Sequence, residues 1–272
     1  AYRNENRRDP LPPRLPFRAF FVSPFLSFFQ YTIPFWVLQG ESGGLSHVAS
    51  LWGDYCCGSF SEDVKDFVAF LSESGFSYWQ VLPFGLVDEC NSPYKSYSTF
   101  GGNPYFVDIK KLADSGLITS AELELSKQKT PYSCEFDRLR EERVQLLITA
   151  SKRVDASLKN KIDEFIDSNK HLSDFCKFMA LKKANNDVEW TQWQSEDYDE
   201  KVEFGWRFIQ YEFFRQWKEI KDYANNKGIK IIGDIPIYVS FDSSDVYFNK
   251  SLFLMDDNNR LTDVAGVPPD YF

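Results

Sequence analysis

Val64, Phe67, Val68 and Leu71 stand at positions i, i+3, i+4 and i+7. That spacing gathers them on one face of a helix over residues 61–74. Ser59 and Glu62 stand at capping-box spacing before it, and Gly75 closes it. The period then changes. Tyr78–Leu82 is an apolar run rich in aromatic and β-branched residues, stopped by Pro83, and reads as a short buried strand. Phe17–Val22 is a candidate first strand. With the helix and the second strand it makes a β–α–β unit, which favours a parallel sheet or barrel.

Further along, Pro104–Ile109 reads as another short strand. Thr119 and Glu122 again have capping-box spacing and open a helical region that runs to about residue 185. Leu139, Leu146, Leu147, Ala150, Val154, Leu158, Ile162, Phe165 and Ile166 form an apolar stripe of about eight helical turns, continuous or broken in two. A further helix covers 171–184. Residues 187–200 are acidic and loop-like, and Trp190 and Trp193 there either stack on a ligand or pin the loop to the core. Phe204–Ala224 is helical, with Phe204, Phe208, Tyr211, Phe214, Trp217 and Ile220 on one packing stripe closed by Asn226 or Gly228. Ile229–Ile232 then reads as a buried strand running into Gly233, Asp234, Ile235 and Pro236.

Two segments break the pattern. Residues 1–16 are basic and proline-rich, which suits an extended, solvated arm. Residues 25–52 are crowded with Phe, Tyr and Trp. Pro24 and Pro34 interrupt that stretch and polar residues dilute it, so it falls short of the roughly 20 predominantly apolar residues of a membrane span. It reads as a packed irregular insertion or as a segment that folds badly.

Composition narrows the partners. The chain has 272 residues, 43% hydrophobic and 26% charged, which suits a soluble globular protein of one large domain or two small ones. A formal charge of −9 without a local basic patch argues against nucleic acid and anionic membranes. The 5 cysteines are odd in number and contain no CxxC pair, which predicts reduced, buried thiols in an intracellular protein. Histidine is confined to His47 and His171, far apart in sequence and too scattered with the cysteines for a metal site.

The chemistry is expected in the long aperiodic stretch from Pro83 to Asn103. A loop of that length in a compact domain is usually functional or disordered, and Tyr94, Tyr97 and Phe100 argue against disorder. Its tyrosines form a binding surface or simply pack on the body. Asp234 follows a predicted parallel strand, where barrel enzymes keep active-site groups. It serves there, or it caps a neighbouring loop.

Four stretches, YWQVLPFG, SPYKSYSTFGGNP, GIKIIGDIPIYVSFDSSDV and VAGVPPDYF, resemble amylomaltases in the family's order over roughly residues 59–272. These are the 4-α-glucanotransferases, or disproportionating enzymes, of glycoside hydrolase family 77. The resemblance implies an α/β fold, the N-terminal part of a (β/α)8 TIM barrel with a helical insertion between the second and third strands. It divides the chain into an arm (1–16), barrel strands with the active-site loop and an atypical insertion at 25–52 (17–109), a helical subdomain (110–200), and a barrel helix, third strand and start of a covering loop (201–272).

It also implies retaining transfer of α-1,4-glucan segments between malto-oligosaccharides, by the two-carboxylate logic of retaining glycosidases. Ser92 and Tyr94 match the stretch that lies against the sugar before the scissile bond, and Asp234 matches a substrate-contacting aspartate that is not the nucleophile. Asp270, Tyr271 and Phe272 match the start of the covering loop. The nucleophile, the acid/base and a third carboxylate are expected beyond Phe272, so this stretch alone is expected to be inactive. The family implies no metal or organic cofactor, no nucleic-acid or membrane partner, and a cytoplasmic or plastid location. Three other readings compete: a non-catalytic α-glucan-binding protein, an amylase-type hydrolase, and a fragment whose exposed sheet edges keep it from folding stably.

Overall fold

The computed structural model describes residues 41–55, 58–88 and 91–263, together with the backbone of 35–38. The predicted arm and the candidate strand Phe17–Val22 lie outside these residues, as do Asp270, Tyr271 and Phe272.

A four-stranded sheet carries the site. Strands β1 (Phe35–Leu38) and β2 (Glu41–Leu45) form an antiparallel hairpin. β2 pairs in parallel with β3 (Tyr78–Gln80), and β3 in parallel with β4 (Lys230–Ile232). Gly44, Trp79 and Ile231 are in register across the three parallel strands. The strand that feeds the first helix is therefore β2, inside the 25–52 stretch read as an insertion. It escaped notice because Gly43 and Gly44 carry no side chain to make a strand pattern. Both glycines are buried beside β3, where their partner strands rather than their own propensity decide the conformation.

Helix α1 (Glu62–Glu73) buries Val64, Phe67, Val68 and Leu71, the face its spacing predicts. Its cap is Ser61, two residues after the expected Ser59, and its hydroxyl accepts from the Asp63 amide. Gly75, at φ +82°, supplies the left-handed turn that ends the helix before β3. Trp79, at the centre of the sheet, is fully buried and donates its indole N–H to the Ser46 carbonyl at 2.7 Å.

The expected strand over Pro104–Ile109 is instead a 3-10 turn, Pro104–Phe106, followed by α2 (Ile109–Asp114). Asn103 and Asp108 cap the two pieces by accepting from the amides of Tyr105 and Lys110, so local side-chain bonds override the apolar run. Thr119 and Glu122 form the predicted capping box of α3 (Ser120–Leu125). The long apolar stripe is two helices, α4 (Phe136–Ser151) and α5 (Ala156–Asp167), because Asp155 caps the second. Then come α6 (Lys170–Ala184) and the 27-residue α7 (Glu200–Asn226).

Helices α4, α5 and α6 all pack on α7, which also touches α1 and β4. Contact on several sides widens its buried surface beyond the single predicted stripe. Trp206, Phe208, Ile209, Phe213 and Ile220 are buried, whereas Phe204, Tyr211, Phe214 and Trp217 are only half-buried. Trp190 pins the 187–200 loop, buried and donating to the Phe241 carbonyl at 2.8 Å.

Two expectations are corrected. Of the apolar run Ile229–Ile232 only Ile229 is buried, since β4 is an outer strand of the sheet and Lys230 is exposed. The cysteines are not all reduced thiols: Cys134 is disulfide-bonded. Such pairing follows from proximity in the fold, which spacing along the chain does not reveal. Cys176 is free and fully buried, and burial pushes its thiol far up, so it is inert. Among the described residues no helix is long and apolar enough to cross a membrane.

Candidate active-site face

β3 and β4 run side by side, and Val81 N–H donates to the Ile232 carbonyl at 2.9 Å just past the paired segment. Their carboxyl ends therefore open at the same place. The loop after β3 and the segment after β4 must share one face, as in parallel α/β sheets whose sites lie beyond the strand ends.

The loop folds back on itself. Asn103 N–H donates to the Phe84 carbonyl at 2.8 Å, Val87 bridges Ser96, and Lys95 pairs with Asp88 at 2.7 Å. Gly85 permits this closeness, since a Cβ there would meet the Ser96 side chain at 2.7 Å. At the tip, Lys95 N–H donates to the Ser92 carbonyl at 3.1 Å and Tyr94 N–H to the Ser92 hydroxyl at 3.3 Å. Ser92 thus shapes the turn that displays Tyr94. Asn91, held at φ +54°, enters the turn and accepts from Arg140 at 3.0 Å.

Tyr94 and Asp234, separated by 140 residues, meet here. The Tyr94 hydroxyl donates to Asp234 Oδ2 at 2.7 Å, and the Ile235 amide donates to Oδ1 at 2.8 Å. The phenol is raised above its ordinary range, first by the hydrogen bond to Asp234, then by desolvation and by the carboxylate's charge. Tyr94 remains 46% exposed, so its ring is available to a ligand.

Buried polar groups that the sequence reading missed hold this face. On α7, Gln210 accepts from Gly102 N–H at 2.7 Å and donates to the Gly102 carbonyl at 3.0 Å. Gln216 accepts from the Asp108 amide at 2.7 Å. Lys182, on α6, is 3% exposed. Its ammonium donates to Asp242 at 2.5 Å and to the Val188 carbonyl at 3.1 Å, and lies 4.9 Å from the Tyr97 ring centre. From α8 (Ser244–Phe248), the Ser244 amide donates to the Tyr97 carbonyl at 2.9 Å. Asp245 accepts from the Thr99 amide at 3.0 Å and from its hydroxyl. No local pattern marks these residues, because each finds its partner far along the chain.

His47, just past β2, is buried against the rings of Phe84 and Phe106 at 5.1 and 5.2 Å, and its Nδ1 has no hydrogen-bond partner. Burial lowers its pKa to about 4, so it is neutral at pH 7. Among the described residues no group of His, Cys, Asp and Glu is placed to hold a metal ion.

Residues 46–272 match the family model described as 4-alpha-glucanotransferase. The chain is 38% identical over 247 residues to the 4-alpha-glucanotransferase of Clostridium butyricum, covering 83% of this chain and 50% of that one. It is 34% identical to the chloroplastic/amyloplastic 4-alpha-glucanotransferase of Solanum tuberosum, covering 85% of this chain and 44% of that one. Among solved structures, the amylomaltase from Streptococcus agalactiae in complex with acarbose superposes with a TM-score of 0.78 at 32% identity, over 84% of this chain and 50% of that one. The chain spans about half the length of the curated relatives it matches. An α/β architecture with a parallel sheet, four motifs in the family's order and a family match over 46–272 agree: the chain belongs to the 4-alpha-glucanotransferase family.

Proposed function

We propose that this chain is the N-terminal part of a 4-α-glucanotransferase that moves α-1,4-glucan segments between malto-oligosaccharides by retaining double displacement. In this reading β2, β3 and β4 are strands of a (β/α)8 barrel, and the helices between β3 and β4 are the insertion. The barrel portion is 17–109 and 201–272, the helical subdomain is 110–200, and 1–16 is an arm. The protein works in the cytoplasm or a plastid.

The observation that carries the reading is the 2.7 Å hydrogen bond from Tyr94 to Asp234. It fixes an exposed aromatic ring beside a carboxylate where two parallel strands end. A tyrosine ring suits the apolar C–H face of a pyranose, and a carboxylate suits its hydroxyls. Both Asp234 oxygens already accept hydrogen bonds, from Tyr94 and from the Ile235 amide, which fits a group that holds substrate better than a nucleophile. Ser92 sets the turn under Tyr94, and Asp270, Tyr271 and Phe272 begin the loop that covers the acceptor sugar. The nucleophile, the acid/base and the third carboxylate lie beyond Phe272, and this stretch alone is inactive. No metal or organic cofactor takes part.

The test is the full-length polypeptide with maltotriose. A transferase releases glucose and builds longer oligosaccharides while the number of reducing ends stays constant. Reducing ends that rise with time would identify a hydrolase. Maltoheptaose binding with no turnover would leave a glucan-binding protein.

A further inference from the structure

A second concavity, a groove of about 640 Å³, lies between the Thr99–Phe100 end of the same loop and the helices α5, α6 and α7. Its chemistry is that of a platform. Phe100 is 48% exposed, and its ring lies parallel to the His171 imidazole, 4.2 Å away and tilted by only 11°. Half-buried Phe214 and Trp217 add two more rings, and Phe165 packs on Phe214 at 6.0 Å. Lys221 brings an ammonium donor to the rim, and Asn169, whose amide N–H groups donate to the Phe165 carbonyl at 2.6 Å and the Ser168 hydroxyl at 3.1 Å, brings its Oδ1 as an acceptor. Lys218, also on the rim, is matched by Asp222 at 2.5 Å.

Phe100 is held where it is. The Ser98 hydroxyl accepts from the amides of Phe100 and Gly101 at 3.1 and 3.2 Å. Asp245 locks the preceding Thr99, and Gly101 sits so close to Phe175 that a Cβ would meet that ring at 2.6 Å. The ring is thus fixed half in water, stacked on an imidazole and beside further half-buried rings.

We propose that this groove is a second carbohydrate-holding site, which takes a stretch of α-1,4-glucan remote from Tyr94. The inference rests on the glucan-transfer reading above. Flat apolar rings meet the C–H faces of the sugars, and Asn169 and Lys221 meet their hydroxyls. One loop carries both Tyr94 and Phe100, so a long chain held at either position stays near the other. Its second contact then becomes intramolecular and gains from effective concentration, an advantage only a polymeric substrate can use.

His171 is the reporter. These 272 residues hold 2 histidines, and His47 is buried, so the exposed His171 imidazole, assigned by the signal lost in His171→Gln, is a separable NMR reporter. Titrating the labelled full-length polypeptide with maltoheptaose is expected to shift the His171 signals saturably. The shift should persist in Tyr94→Ala, weaken by about tenfold or more in Phe100→Ala, and be retained in Phe100→Tyr. Both alanine sites are exposed, so neither change threatens the fold. A His171 signal that stays still while titration calorimetry registers Tyr94-dependent binding would overturn the second site and leave the Tyr94 reading intact. A shift abolished by Tyr94→Ala, or matched by β-linked cellohexaose, would also overturn it. Silence in both measurements would remove both readings.

Discussion

Tyr94 donates its hydroxyl to Asp234 at 2.7 Å, joining a loop after β3 to the residue that follows β4. The bond raises the pKa of the phenol, which stays protonated and donating at neutral pH. Its effect is to orient a ring that remains 46% exposed.

Asp234→Asn should therefore lower the Tyr94 ionisation toward the ordinary tyrosine range, because the largest cause of its rise is the bond to that carboxylate. Tyrosine-selective NMR across an alkaline titration reads this directly. Tyr94→Ala should weaken maltoheptaose binding by about tenfold, the worth of one good aromatic contact. Tyr94→Phe, which keeps the ring, should cost less. An Asp234→Asn protein with an unchanged Tyr94 titration would mean that the pair does not persist in solution.

Lys182 links the loop and the post-β4 segment from beneath. Its ammonium is 3% exposed and joins Asp242, the Val188 carbonyl and the Tyr97 ring. Lys182→Met would strand the Asp242 carboxylate and cost about 3–5 kcal/mol, the usual penalty for removing one partner of a buried pair. Asp242→Asn should cost less, since an amide still accepts from the lysine. Urea unfolding of the two variants and the double mutant measures the coupling. A Lys182→Met protein within about 1 kcal/mol of the parent would show that the pair contributes little. If the linkage positions the site, the same variant also shifts the Tyr94 titration, a readout that general loosening elsewhere leaves alone.

How much of this was legible depended on the range of the interaction. The buried face of α1 and the Thr119–Glu122 capping box follow from spacing within a few residues, and the structure has them, whereas the stripe from Leu139 to Ile166 left a break open that the Asp155 cap decides. The motif resemblance singled out Tyr94 and Asp234 one by one, and the structure brings them into contact. Strand β2 was not legible, because its sequence ESGGL becomes a strand only through its neighbours. Pro104–Phe106 misled because the Asn103 cap outweighs an apolar run. Gln210 with Gly102, Lys182 with Asp242 and Asp245 with Thr99 are polar pairs between distant segments. Each such residue resembles a surface residue until its partner is known.

His47 gives the chain a pH-dependent stability. Its pKa in the folded state is about 4, below the 6.5 of an exposed imidazole, because burial among aromatic rings disfavours the charged form. Between pH 4 and 6.5 the unfolded chain thus binds more protons at this site than the folded chain. Stability rises with pH across that window, and is lost as pH falls through it. A difference of that size is worth about 3 kcal/mol at most, and nearly all of it is in place by pH 7. The urea midpoint should drop on going from pH 7 to pH 5. His47→Phe, which keeps a flat ring among Phe84 and Phe106 but cannot titrate, should flatten that drop. Carboxylates also contribute to the acid side of the slope, among them Glu122, whose pKa its bonds to Arg153 and Thr119 lower to about 2, and Asp108, raised by burial, but they act alike in parent and variant, so the difference between the two isolates the imidazole. An equal pH slope in parent and variant would show that the imidazole reaches solvent in the folded protein.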